Sequence, residues 1–528
     1  RSQNVVHNGR IASWVSFVAS RLTHTPFVST VHGRQHIHLS STTFSVYGKD
    51  IVAVSPALKE HLVDDLDLKP EHITVLPNCI PFGPWKAARR SAKGKRRHQI
   101  MFVGRLTGPK GDVVRLLLRK VLPIVLRKKQ VRFEAFGGMI TPTDIPDLVA
   151  SLNGQCRRPC AQLKGFQRDI PGHLSEASLI IGSGRVVPES MALNRPVIAL
   201  GESNYEGRIT AEAFEKAAMT NFGDTGIPLT PEADRVAADI LSVLDHPPSA
   251  KELANLARLA EKRYGAQRVA QLVHGVYERA YARTHSQQSI PVLMYHQITD
   301  NQSPTSSHGI WVTAEQFRAQ LHSLQRREFE TITFLDYARF LKGEGRLPRR
   351  PIILTFDDGY VDNYTTALPI LQKFDCRAVI FAVADKKRRT NFWDSTEPAA
   401  ALMTSKQMKE LNRCGIEIGS HTVTHPRLPE TPEGAIRREL RESKDYLQQI
   451  LGSEVISFAY PYGALQPATK SLVEEEGYRF AVAADSGPLA FYQDFLEIRR
   501  TQVFPWTTRT GFWKKTLPLY NRYKSFKS

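Results

Sequence analysis

Apolar positions follow two periodicities along this chain, and their alternation predicts α/β architecture. Up to about residue 245, short runs rich in Val, Ile, Leu and Phe are separated by stretches in which apolar residues recur every three to four positions. Continuous apolar runs fit strands buried on both faces, and the longer period fits amphipathic helices, so parallel α/β units are expected. The strands fall at 27–31, 51–54, 73–76, 100–103, 131–136, 179–181 and 196–200, with helices over 112–127, 188–193 and 232–244. Residues 249–285 are rich in Ala, Leu and Arg with a helical period. A polar stretch at 284–289 reads as a linker, and the apolar run at 290–296 opens a second α/β set. The expected organisation is three blocks, 1–90, 98–283 and 288–528. A basic segment joins the first two, with Lys86, Arg89, Arg90, Lys93, Lys95, Arg96 and Arg97, and it reads as a solvated linker.

Charge narrows the partners. Lys and Arg number 71 against 52 Asp and Glu, a net charge of +19 that favours an anionic partner. Nucleic acid, an anionic membrane face and a sugar nucleotide all qualify; no nucleic-acid-binding motif accompanies the charge, so nucleic acid is not expected. No apolar run reaches the roughly 18 residues of a membrane-spanning helix. Arg1-Ser2-Gln3-Asn4 carries no apolar h-region and no initiating Met, so no signal peptide is expected and the true beginning is expected to be missing. Five cysteines, odd in number and sparse, point to a reducing compartment without a disulfide framework. Cys156 and Cys160 have no further ligand types beside them in sequence and are not expected to hold a metal.

Candidate chemistry lies in the last block. Ile352-Ile353-Leu354-Thr355-Phe356-Asp357-Asp358-Gly359 is an apolar strand that ends in two adjacent carboxylates and a turn. Two carboxylates in one pocket repel unless a cation intervenes; one can then bind the metal while the other serves as a base. Ile416-Glu417-Ile418-Gly419-Ser420-His421 is another strand, and its His421-x-x-x-His425 spacing puts both imidazoles on one face if the segment turns helically. Two His and one carboxylate leave an open coordination position. Ala459-Tyr460-Pro461-Tyr462-Gly463, at a third strand end, can wall a sugar pocket and aim a backbone N–H at a developing oxyanion.

These three segments, in this order, resemble the polysaccharide deacetylases with the NodB homology domain, carbohydrate esterase family 4, over about residues 290–505. The resemblance implies a distorted (β/α) barrel and N-deacetylation of an N-acetylated glycan or lipid-linked sugar. It implies Asp357 as general base, with Asp358, His421 and His425 holding a divalent metal, usually zinc. Pro461 and Tyr462 would line the substrate site, Tyr462 through its backbone. The sequence departs from the family at two places. Ala459 stands where an Arg often orients the base, and no His after His425 supplies the general acid. The segment Leu496-Glu497-Ile498-Arg499-Arg500 looks like the Arg-containing ending of the family branch with Ala-Tyr-Pro-Tyr-Gly. His296, ending the strand at 290–296, is the candidate acid, with a hydrogen-bonded core His as the equal alternative.

In the first half, Gly104-Arg105-Leu106-Thr107-Gly108-Pro109-Lys110-Gly111 joins a strand to a helix. Amides at a helix N-terminus, with Arg105 and Lys110, suit a diphosphate; an ordinary loop with solvated cations fits equally well. Glu189 sits in the first turn of a later helix, where it can accept ribose hydroxyls or simply complement the helix dipole. With Thr30-Val31-His32-Gly33, Leu76-Pro77-Asn78 and Phe136-Gly137-Gly138, these resemble the GT-B glycosyltransferases of family 4. The resemblance implies a nucleotide-sugar donor, with Arg105 and Lys110 on its diphosphate, Glu189 on its ribose and His32 near the transfer centre. Ile181 replaces the first Glu of the family's Glu-x7-Glu pair, and the N-terminal lobe is short, so a truncated GT-B is expected ahead of the barrel. The combined expectation is a bifunctional enzyme of bacterial envelope or extracellular polysaccharide, cytoplasmic and peripheral at the inner membrane face. The basic-aromatic end, Phe512, Trp513, Lys514, Lys515, Arg522, Lys524 and Lys527, is then an interfacial anchor or a solvated tail. A non-catalytic carbohydrate-binding protein, and a transferase with an inactive deacetylase domain, are the rival readings.

Overall fold

In the computed structural model, which describes residues 10–35, 46–91, 98–139, 143–226, 231–286, 290–300, 308–517 and 520, the chain forms two compact units, Gln3–Ala280 and Tyr281–Ser528. Lys93, Lys95, Arg96, Arg97, the linker at 287–289 and the tail with Arg522, Lys524 and Lys527 lie outside the described residues.

The first unit holds a three-stranded parallel sheet, Ser29–Val31, Ile51–Ala53 and Ile73–Val75. Its second sheet has six strands in the order Ala161–Gly165, Arg132–Phe136, Gln99–Val103, Leu179–Gly182, Val197–Leu200, Tyr205–Arg208; only the last pair is antiparallel. Leu179–Gly182 and Val197–Leu200 are buried at every position, as continuous apolar runs between helical layers should be. The stretch expected as one helix over 112–127 is two helices, Gly108–Leu116 and Leu122–Lys128, joined by a π turn at Leu117–Val121. Pro123 has no N–H for the regular ladder, which accounts for the break. Of the basic segment's described cations, Lys86 pairs with Glu261 at 2.6 Å at the surface, Arg89 donates to Asn194 at 2.8 Å, and Arg90 is exposed.

The helix Ala266–His285 runs through the point where the chain divides, four residues before the polar stretch where a boundary was expected. Tyr281 packs its ring 5.5 Å from Phe340, and Ala282 joins the apolar cluster of Ile290 and Phe334.

The second unit is built on a parallel sheet in the order Phe480–Val482, Ser457–Ala459, Glu417–Ser420, Val379–Ala382, Pro351–Phe356, Val292–Tyr295, Thr501–Gln502, with Glu330–Thr331 alongside Pro351–Phe356. Successive side chains alternate between two cores. Leu293, Leu354, Phe356, Ile380, Ile418 and Phe458 face the helices Ala314–Arg326, Ser405–Arg413 and Glu433–Leu451. Val292, Ile353, Phe381, Ala459 and Phe480 face Phe334, Tyr337, Phe491 and Phe495 on the other side. Because the strands are parallel, every carboxyl end lies along one edge of the sheet, and His296, Asp357, His421 and Pro461 each follow such an end directly or within two residues.

Candidate metal centre

Strand ends deliver the site's side chains, and strained backbone aims them. Asp358 (φ 71°), Thr422 (φ 66°), His425 (φ 59°) and Tyr462 (φ 59°) all occupy the left-handed region. For non-glycine residues this costs about 1–3 kcal/mol each and persists where the surroundings impose it. Gly359 (φ 75°) lets the chain turn beside the next strand, where a Cβ would lie 3.1 Å from the Ala382 Cα. The His421–His425 segment is not the helical turn that its spacing predicts. It is a loop whose amides are captured by the Glu439 carboxylate, from Val423 at 2.7 Å and Thr424 at 2.9 Å, with the Thr424 hydroxyl at 2.6 Å. Thr422 Oγ1 accepts from the His425 amide at 3.0 Å.

The outcome brings together groups far apart in sequence. His421 Nε2 and His425 Nε2 lie 3.2 Å apart, and each is 3.4 Å from Asp358 Oδ1. All three residues are buried, and among the described residues this is the only cluster of three or more His, Cys, Asp or Glu placed to hold an ion. The Ala459 carbonyl can only accept, so the 2.8 Å contact fixes the proton of His421 on Nδ1 and turns the Nε2 lone pair inward. Burial pushes the Asp358 carboxyl up, but the His421 hydrogen bond and the neighbouring imidazoles hold it well below its ordinary value. Tyr360 adds a hydroxyl hydrogen bond to Asp358.

Asp357, beside this triad, is engaged differently. Arg500 grips it with both terminal nitrogens, 2.6 Å to Oδ1 and 2.7 Å to Oδ2, while Arg500 Nε donates to the Ala483 carbonyl at 2.8 Å. Burial raises the Asp357 carboxyl, and the Arg500 charge and hydrogen bonds outweigh it, leaving a carboxylate below its ordinary range. The sequence reading named Arg500 only within a segment resembling the family branch's Arg-containing ending and gave it no role at the site. Ala459 stands where the resemblance calls for an Arg; the cation comes instead from Arg500, directly ahead of the strand Thr501–Gln502.

Pro461–Gly463 forms a tight turn whose own hydrogen bonds use the amides of Gly463 and Ala464. Pro461 is buried, and Tyr462, 48% exposed, sets its ring 4.6 Å from that of His425. The His296 backbone carbonyl accepts from Asn363 at 2.7 Å, and its imidazole lies in the electrostatic neighbourhood of Asp357 and Asp358.

In the first unit, Lys110 pairs with Asp224 at 2.9 Å and Glu189 with Arg185 at 3.2 Å. Arg105 is exposed, and His32 follows the strand Ser29–Val31 with its side chain hydrogen-bonded to Asn78. At the far end, Phe512 is buried and Lys515 lies over the Phe504 ring, so this stretch packs on the unit instead of trailing in solvent.

Residues 344–481 match the family model described as polysaccharide deacetylase. A Bacillus subtilis protein named for that family is 27% identical over 233 residues, 44% of this chain and 78% of its own length. A poly-beta-1,6-N-acetyl-D-glucosamine N-deacetylase of Staphylococcus aureus is 24% identical over 183 residues, 33% of this chain and 61% of its own length. Among solved structures, Anabaena HepE in complex with UDP is 19% identical with a TM-score of 0.40, covering 51% of this chain and 77% of that one. The matched residues include Asp357, Asp358, His421, His425 and Tyr462, so the site described above lies within the part of the second unit that is similar to polysaccharide deacetylases.

Proposed function

We propose that the second unit is a metal-dependent N-deacetylase of an N-acetylated saccharide in bacterial envelope or extracellular polysaccharide synthesis. One observation carries the reading: the triangle of Asp358 Oδ1, His421 Nε2 and His425 Nε2, with edges of 3.2, 3.4 and 3.4 Å. Neighbouring vertices of a tetrahedron with bonds of about 2.0–2.1 Å are separated by about 3.3 Å, so Asp358, His421 and His425 are spaced as three ligands of a zinc-like ion would be, with a position left for water. When bound, such an ion supplies Lewis-acid polarisation of an acetamide carbonyl and of a water. The chain's residues do the rest. Asp357 takes the water's proton, and Arg500 keeps it ionised and correctly turned. The Tyr462 amide, beside the turn at Pro461, donates to the developing oxyanion. His296, at the neighbouring strand end, returns a proton to the departing amine.

For the first unit we infer nucleotide-sugar binding, with Arg105 and Lys110 toward the diphosphate, Glu189 toward the ribose and His32 near the acceptor. Ile181, where the resemblance calls for a Glu, favours a second reading, binding without transfer, and a diphosphate reaching Lys110 would have to displace Asp224. The chain would act at the inner face of a bacterial membrane, its net charge of +19 favouring anionic lipid.

The test is acetate release from N-acetylglucosamine oligosaccharides by wild type and by Asp358→Ala. Release is expected from the wild type alone; equal release from both removes the metal assignment.

A further inference from the structure

Metal-bound histidines ordinarily donate their second ring nitrogen to a carboxylate or carbonyl, which fixes the ring. His421 follows that rule through Ala459. His425 breaks it: its Nδ1 is buried without a hydrogen-bond partner. What touches the ring instead is the Trp393 indole, nearly parallel to the imidazole at 25° with centroids 4.6 Å apart, and the Tyr462 ring across it at 70°.

The loop that carries Trp393 is built to hold it there. Asn391, buried, donates to the Pro398 carbonyl at 3.0 Å and accepts from the Ala400 amide at 2.8 Å, closing the loop on itself. Thr390 and Ala401 form a β-bridge, Phe392 meets Trp393 edge-on at 5.2 Å, and Arg388 covers Phe392 at 4.2 Å. Asp394, the next residue, is paired with His308 at 3.1 Å.

We infer that Trp393 is a positioning residue for the metal centre, its flat stack on His425 standing in for the missing hydrogen bond. The stack opposes tilting of the ring, so the His425 Nε2 stays aimed at the other two ligand atoms although its buried Nδ1 has no hydrogen bond to hold it. Trp393 would thus set metal affinity first and saccharide binding second. This rests on the metal-dependent reading above.

The measurement is zinc affinity of the full chain by competition with a chromophoric chelator, for wild type, Trp393→Phe and Trp393→Leu, with acetate release followed in parallel. Loss of a residue that orients a metal ligand typically weakens affinity by about 10- to 100-fold. Trp393→Leu, which keeps apolar bulk but no flat face, is expected to lose about tenfold or more on that scale, and Trp393→Phe to stay near wild type. Zinc affinity unchanged in Trp393→Leu, with KM for the oligosaccharide raised, overturns the inference and makes Trp393 a saccharide platform. Equal losses in both variants also overturn it, because bulk and not the aromatic face would then matter. Absence of zinc binding by the wild type defeats the metal-dependent reading itself. The zinc-loaded wild type gives a check that needs no variant: the His425 ring protons should resonate upfield of those of His421 under the indole, and equal shifts contradict the stack.

Discussion

Arg500 shows how much of a reactive centre can rest on one side chain that pattern reading passes over. Asp357, Asp358, His421 and His425 were legible because each pair is local: adjacent carboxylates at a strand end, and two imidazoles four residues apart. Arg500 comes from far along the chain and is defined only by the sheet order that sets Thr501–Gln502 beside Val292–Tyr295. Its fork holds Asp357 below the ordinary carboxylate range, so Asp357 stays ionised to lower pH than an ordinary carboxylate. Removing Arg500 takes away the strongest opposition to burial, lifts the Asp357 pKa and moves the acid limb of the kcat/KM profile to higher pH. Arg500→Lys keeps the charge without the two-pronged geometry and is expected to fall between wild type and Arg500→Ala. A pH–rate profile for the three proteins checks this, and coincident acid limbs would mean that Arg500 does not govern the base. Asp357→Asn should lower kcat by about 10²–10⁴ while zinc affinity holds.

Among the elements, strands were read well and turns poorly, for a physical reason. A buried strand announces itself in its own residues, as Leu179–Gly182 and Pro351–Phe356 do. A turn is decided by what it packs against. The segment from His421 to His425 has helical spacing, yet Glu439 on the helix Glu433–Leu451 takes its amides and bends it through left-handed conformations at Thr422 and His425. Glu439→Ala removes three acceptor contacts, one from the partly buried Val423 amide, worth about 1–3 kcal/mol when left unmade, and two from the exposed Thr424, whose donors water can satisfy. A loss of several-fold in zinc affinity is expected, together with a destabilisation of about 1–3 kcal/mol in denaturant unfolding. Glu439→Gln, which keeps one acceptor oxygen, should recover part of both. Likewise, the helix expected over 112–127 contains its π turn because Pro123 removes a donor, a feature the apolar period does not register.

At the scale of the whole molecule, each unit holds a carboxyl that burial pushes up to about 7, Glu189 in the first and Asp362 in the second. For Glu189, burial prevails against the pull of Arg185. The folded unit therefore binds a proton more tightly than the unfolded chain. Stability is complete below the ordinary carboxyl pKa, falls as pH rises toward about 7 and levels off above it. Glu189→Gln should flatten that slope for the first unit's unfolding and leave the second unit's transition where it was; an unchanged slope would place the titration elsewhere. The second α/β set was expected to begin after the polar stretch at 284–289, whereas the chain divides between Ala280 and Tyr281, within a helix whose end packs Tyr281 against Phe340, because no local pattern records which surface a helix end will meet.

The central claim is that three buried side chains hold one cation beside an ionised carboxylate, and it is tested most directly by metal content set against turnover. The chain should bind one zinc ion, lose acetate release from N-acetylglucosamine oligosaccharides when that ion is stripped, and regain it on adding one equivalent. Full acetate release from protein shown to be metal-free would contradict the account.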